Sequence, residues 1–183
     1  MSARRHISPT EGAPSSLGLN AAEAVLHVFH VEDNADDHLL LKAAAEMAQV
    51  NFSWEVAESA DTAIFYLSTL LALDGQSSLK WPDLVLLDVS LPQGGGLKVL
   101  EFIRSKPELN ALRVVVLSGS SAPGVLERAY ELGANSVLLK PVAFRQLVKL
   151  AESLHAAWRL ARRLSPEVSP IVDESHLTAH PAE

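Results

Sequence analysis

The chain contains no cysteine. That excludes a disulfide framework and any thiolate metal site. Positive charge is scarce as well: 15 Lys and Arg stand against 22 Asp and Glu, giving a formal net charge of −7 and a pI near 5.5. This balance argues against a nucleic-acid groove, since counterion release at phosphates needs clustered basic residues. The only dense basic run is "WRLARRL" at 158–164. No apolar run approaches the roughly 18 residues of a membrane span. The N-terminal "MSARRHISPTEGAPSSLGLN" carries charges without an apolar core, so neither a membrane anchor nor export is expected, and a cytoplasmic protein is. With 183 residues the chain suits one domain with tails, burying roughly two thirds of the surface its unfolded state exposes. Residues 1–23 are expected to form a flexible extension, 24–164 the folded domain, and 165–183 a flexible tail too short for an output domain.

From Val25 onward, short apolar runs alternate with helical patterns. Strands are expected at 25–31, 52–57, 83–89, 112–118 and 135–139, and helices at 36–48, 60–73, 97–104, 123–132 and 143–164. Continuous apolar stretches such as "LVLL" and "VVVL" belong to strands buried on both faces, hence to a parallel sheet between helices. Right-handed crossovers then give a doubly wound α/β fold with helices on both faces. In such sheets ligands bind beyond the carboxyl ends of the strands, at the point where strand order reverses.

That rule makes the residues just after each strand informative. They are Glu32 and Asp33 after the first, Asp88 after the third, Ser118 after the fourth and Lys140 after the fifth. Each alone is ordinary: a terminal Asp caps a turn, a Ser faces solvent, a Lys is solvated. Asn34 to Asp37 could by themselves cap the next helix. Together, three acids, a hydroxyl and an ammonium on one rim suit a hard cation such as Mg²⁺ and a phosphoryl group. Asp88 is then the natural nucleophile, forming an aspartyl phosphate.

These residues resemble the receiver domains of two-component response regulators. The resemblance rests on "VEDN" (31–34), "DLVLLDVSLPQGGG" (83–96), "VVVLSGSS" (114–121) and "LLKP" (138–141). Asp88 and Ser118 are 30 residues apart and Ser118 and Lys140 are 22 apart, which are the family's intervals. The resemblance implies a flavodoxin-like five-stranded parallel sheet in the order 2-1-3-4-5, with Asp88 as phosphoacceptor. It implies a Mg²⁺ site from Asp33, Asp88 and the Ser90 backbone carbonyl, with Glu32 acting mainly through metal-bound water. Lys140 would pair with the acids before phosphorylation and with phosphoryl oxygens afterwards, Ser118 would swing to the phosphoryl group, and Pro141 would follow a cis peptide bond. The loop at 73–83, the "FSWEVAESADTAIFYL" run and Trp158 resemble small stand-alone regulators that serve phytochrome-type histidine kinases.

The pattern also departs from the family. The aromatic residue expected three positions before the lysine is Val137, which has one stiff torsion and no ring to swing. Gly94, Gly95 and Gly96 suggest a flexible loop after Asp88. Gly119 and Ser120 beside the hydroxyl leave the site open to donor and water. His27 and His30 are expected to be packed or edge residues, and His38 a helix-surface residue. The last helix is long, and its turns beyond about Leu154, with Trp158 as anchor, could meet a partner, including a second copy in a homodimer. The implied function is a single-domain response regulator that takes a phosphoryl group from a histidine kinase or phosphotransfer protein and signals by protein contact. It would catalyse only its own acylphosphate chemistry and would use neither nucleic acid nor membrane. Two alternatives stand beside it. One is a receiver-like scaffold that needs no phosphorylation. The other is a phosphatase of the haloacid dehalogenase type, disfavoured because Ser90 stands where those enzymes carry a second Asp.

Overall fold

The computed structural model describes residues 25–73, 79–119 and 123–164. Five strands, β1 (Leu26–Val31), β2 (Phe52–Ala57), β3 (Leu84–Asp88), β4 (Arg113–Ser118) and β5 (Ser136–Leu139), alternate with five helices. These are α1 (Ala35–Met47), α2 (Ala60–Leu73), α3 (Gly95–Ser105), α4 (Pro123–Glu131) and α5 (Phe144–Leu164), with short 3-10 turns at Pro92–Gly94 and Pro107–Leu109. All strand pairs are parallel and the sheet order is β2-β1-β3-β4-β5. Strand order reverses at β1, so the carboxyl ends of β1 and β3 flank the switch point.

The period of two along each strand sorts the core into two layers. Phe29, Val31, Val85, Leu87, Val114 and Val116 pack with Leu67 of α2, Leu100 and Ile103 of α3 and Ala129 of α4. Their neighbours Leu26, Val28, Leu84, Leu86, Val115 and Leu117 pack on the opposite face with Leu41 of α1 and with Leu147, Leu154 and Trp158 of α5. Every residue of β3 is buried, which is why its sequence reads as an unbroken apolar run ending in one acid. His30 and Glu32 share parity with Val28 and therefore face the α1/α5 layer, a placement that matters for the site.

Two expectations are corrected here. Trp158 is not a free anchor: it is 6% exposed, stacks near His155, and carries the Arg162 guanidinium over its ring. The reason is the crossing of α5 over the β2 edge, where Phe52 and Trp54 would otherwise be uncovered. The exposed apolar residues on the extra turns are Leu160 and Leu164 instead. The triple glycine is also no loose loop. Only Gly94 has positive φ, preceded by Gln93 with φ 59°, while Gly95 and Gly96 open α3 two residues earlier than expected. A Cβ on Gly96 would stand 2.4 Å from the Asp88 carbonyl oxygen, so this glycine permits close approach of helix and strand rather than mobility.

The proposed extension 1–23, the tail 165–183, residues 74–78 of the loop at 73–83 and Ser120 lie outside the described residues. No helix among the described residues is long and apolar enough to cross a membrane.

Candidate functional site

β1 and β3 end side by side and deliver Glu32, Asp33 and Asp88 to one point. One carboxylate oxygen from each lies within 4.8 Å of the others. Like charges at this spacing need a partner. Lys140, at the end of β5, supplies it: Nζ is 2.6 Å from Glu32 Oε2, 2.8 Å from Asp88 Oδ2 and 2.7 Å from Asp37 Oδ2. The lysine is aimed by its own backbone, whose N–H donates to the Ser118 carbonyl at 2.7 Å. The second oxygens of Asp88 and Glu32 are held locally. Asp88 Oδ1 accepts from the Ser90 N–H at 2.6 Å, and Glu32 Oε1 from the Asn34 N–H at 3.2 Å. Asn34 also caps α1, its side chain accepting from the Asp36 N–H at 3.0 Å. Capping and charge clustering therefore coexist in the same acidic stretch.

Burial sets the electrostatics. Glu32 is 1% exposed, Asp88 4% and Ser118 1%, whereas Asp33 is exposed. Burial pushes the Glu32 carboxyl above its ordinary pKa, with the hydrogen bond and charge of Lys140 pulling it back. For Lys140 burial acts downward, but its hydrogen bonds to Asp37, Asp88 and Glu32 outweigh that and raise its pKa. An ammonium locked between three carboxylates stays protonated and can bind another anion at the same spot.

Of the expected site residues, Glu32, Asp33, Asp88 and Lys140 converge directly, and Ser118 is tied to Lys140 through the backbone. Ser90 stands in the turn after β3 with its N–H on Asp88. The expectation for Pro141 is corrected: among the described residues every peptide bond is trans, Lys140–Pro141 included. Trans is the lower isomer by about 0.5–1 kcal/mol even before proline, and the lysine reaches all three acids with it. Val137 is half-buried, and its N–H donates to the hydroxyl of Tyr130 on α4 at 3.2 Å. An α4 phenol thus touches β5 where the strand itself has no aromatic.

Three residues escaped the sequence reading. Asp37 has an identifiable signal, its place in the acidic run, but only the fold shows that it meets the lysine. Gly96 was read as loop. His30 was expected to be packed, and it is 1% exposed; what was missed is that its Nδ1 meets His38 Nδ1 at 3.0 Å and its Nε2 lies 3.8 Å from Glu32 Oε2. His38 is accordingly half-buried against Trp54 and His30 rather than a free surface residue.

A doubly wound sheet whose switch point carries a buried acid, flanked by acids, a lysine and a hydroxyl, is the arrangement that the resemblance to receiver domains implied. The comparisons with known proteins agree. The family model for the response regulator receiver domain matches residues 28–152. The probable methanogenesis regulatory protein FilR2 of Methanothrix harundinacea is 35% identical over 137 residues, covering 75% of this chain and 86% of that protein. Response regulator Rcp1 of Synechocystis is 27% identical over 131 residues, 72% of this chain and 87% of Rcp1. The Mn²⁺-bound crystal structure of Rcp1 aligns with a TM-score of 0.59 at 26% identity, over 72% of this chain and 93% of that one. The phosphorylated cyanobacterial phytochrome response regulator RcpA aligns with a TM-score of 0.64 at 30% identity, over 75% of this chain and 96% of that one. The chain belongs to the response regulator receiver family.

Proposed function

We propose that this chain works as a response regulator that accepts a phosphoryl group on Asp88 and signals by protein contact. The donor in this reading is a histidine kinase, with the phytochrome type as one candidate, or a phosphotransfer protein, and the reaction takes place in the cytoplasm. The observation that carries it is the buried Asp88 carboxylate, with one oxygen on the Ser90 N–H and the other on Lys140, beside two further acids. Similar structures include a phosphorylated cyanobacterial phytochrome response regulator and a Mn²⁺-bound form of Rcp1, which supports both the reaction and the metal.

Glu32, Asp33, Asp88 and the Ser90 carbonyl fit a divalent cation of the Mg²⁺ kind, because every donor is a hard oxygen. When bound, such an ion neutralises the oxygens of the incoming phosphoryl group and of the acids. The chain's own residues do the rest. A carboxylate oxygen of Asp88 attacks phosphorus, an O–P bond forms, and the N–P bond of the donor phosphohistidine breaks. The imidazole leaves with the bonding pair and takes up a proton from solvent. Lys140 shifts from the acids to a phosphoryl oxygen, and the Ser118 hydroxyl donates to another. Water returns the group as inorganic phosphate and regenerates the carboxylate, so no outside substrate is turned over.

The test is intact-protein mass after incubation with acetyl phosphate and Mg²⁺, comparing wild type with Asp88→Asn and a Mg²⁺-free control. A single Mg²⁺-dependent adduct, lost in the variant, is expected. No adduct under conditions that label another receiver, nor with any candidate kinase, would favour a scaffold that works without phosphorylation.

A further inference from the structure

Among the described residues, His30 is the one buried polar side chain near the site that the reaction above does not use. Among the described residues its Nε2 has no hydrogen-bond partner, although the ring is 1% exposed. A buried orphan of this kind is costly unless something restores the bond in another state of the protein.

The ring's surroundings decide which nitrogen carries the proton. His30 Nδ1 and His38 Nδ1 are 3.0 Å apart, so one hydrogen lies between them. If His30 supplied it, its bare Nε2 lone pair would face the Glu32 carboxylate, two negative ends in a dry layer. If His38 supplies it, His30 carries its hydrogen on Nε2, pointed at Glu32 Oε2 from 3.8 Å. Electrostatics selects the second arrangement. At 3.8 Å no hydrogen bond exists yet. The same Oε2 is now held by Lys140 at 2.6 Å.

We infer that His30 is a positioning residue that takes over Glu32 Oε2 when Lys140 leaves it for the phosphoryl group. This rests on the proposed phosphorylation of Asp88. A cation in the acid site would face the Glu32 carboxylate as well, but the oxygen that gives up its ammonium is Oε2, and a buried carboxylate oxygen left without a donor is costly. An approach of roughly 0.9 Å brings Nε2 to an ordinary N–H···O distance of about 2.9 Å. His38 on α1, edge-on to Trp54 of β2, holds the donor tautomer in place. The handover thereby links the acid pocket to the α1/β2 face, which sits away from the β4–β5 side where Ser118 moves.

The decisive measurement is the two-bond ¹H–¹⁵N spectrum of the histidine rings in the full-length protein, free and then saturated with Mg²⁺ and beryllofluoride as the phosphoryl mimic. His30 is expected as a neutral Nε2–H ring whose proton moves downfield and exchanges more slowly on saturation. An Nδ1–H ring, or an Nε2–H signal unchanged while the Asp88 and Ser118 amides shift, overturns the handover and leaves the phosphoacceptor reading standing. A wild type that takes up neither beryllofluoride nor phosphate overturns both. In parallel, His30→Leu should weaken beryllofluoride binding by about tenfold, the worth of one hydrogen bond to a buried charge. His30→Gln, which restores an N–H donor, should recover most of it. Equal loss in both folded variants, or in neither, speaks against the handover.

Discussion

Replacing Gly96 by alanine should damage the site far more than the fold. The added Cβ would lie 2.4 Å from the Asp88 carbonyl oxygen, 2.6 Å from the Val89 Cα and 3.1 Å from the Asp88 carbonyl carbon. All three are backbone atoms, so no side chain can turn aside. Ordinary C···O contacts begin near about 3.3 Å, and either the start of α3 or the end of β3 must retreat by roughly 1 Å. Overpacking of this size costs ~1–3 kcal/mol, and alanine regains ~1 kcal/mol over glycine in a helix. The net loss is then about 1 kcal/mol, which for a chain of this length lowers Tm by about 2–4 °C. Asp88 sits on the displaced backbone, and a misplacement of ~1 Å in a reacting group costs on the order of 100-fold in rate. Thermal melting by circular dichroism and the time course of acetyl phosphate labelling by intact mass read the two effects separately. Gly124→Ala is the control. Nothing lies within 4 Å of its new Cβ and it stands in the first turn of α4, so Tm should rise by a degree or two with labelling unchanged. A Gly96→Ala protein that melts and labels like wild type would refute the close-approach argument.

Two further outcomes are expected. Trp158→Ala should cost ~3–5 kcal/mol of unfolding free energy by denaturant titration, because the indole is part of the α1/α5 layer. Unchanged stability, with a lost self-association in sedimentation, would return Trp158 to the surface role the sequence suggested. Burial, with His38 and Lys140 nearby, lowers the His30 pKa from 6.5 to about 3, so between those values the unfolded chain binds a proton that the folded one does not. Stability contributed by the neutral ring is complete above pH 6.5 and is lost as pH falls, by ~1.4 kcal/mol per unit. From pH 6.5 to 5 wild type should lose about 2 kcal/mol more than His30→Leu in urea unfolding, and parallel profiles would rule this out.

Much of the molecule was written in local patterns. The apolar runs 84–87 and 114–117 could be only strands covered on both sides, and with helical periodicity between them they implied the doubly wound sheet. Once the sheet is parallel, chain direction alone carries every strand's carboxyl end to one rim, so Glu32, Asp33, Asp88, Ser118 and Lys140 were legible as a set although Asp33 and Lys140 stand far apart in sequence. Local patterns do not encode what meets across layers. Trp158 looked like an anchor because its helix is long; only the packing of α5 puts the indole beside His155, whose ring in turn meets Phe52 of β2. Asp37 looked like a cap residue until β5 brought Lys140 to it. The glycines suggested slack, whereas the packing of α3 on Asp88 turned one of them into a contact requirement. His30 carries no signal at all for its partners. The two-residue period says which face its ring takes, but the ring's neighbours His38 and Glu32 come from the pitch of α1 and the end of β1. The distance between His30 and Glu32, and hence the choice of tautomer, exists only in the packed tertiary structure.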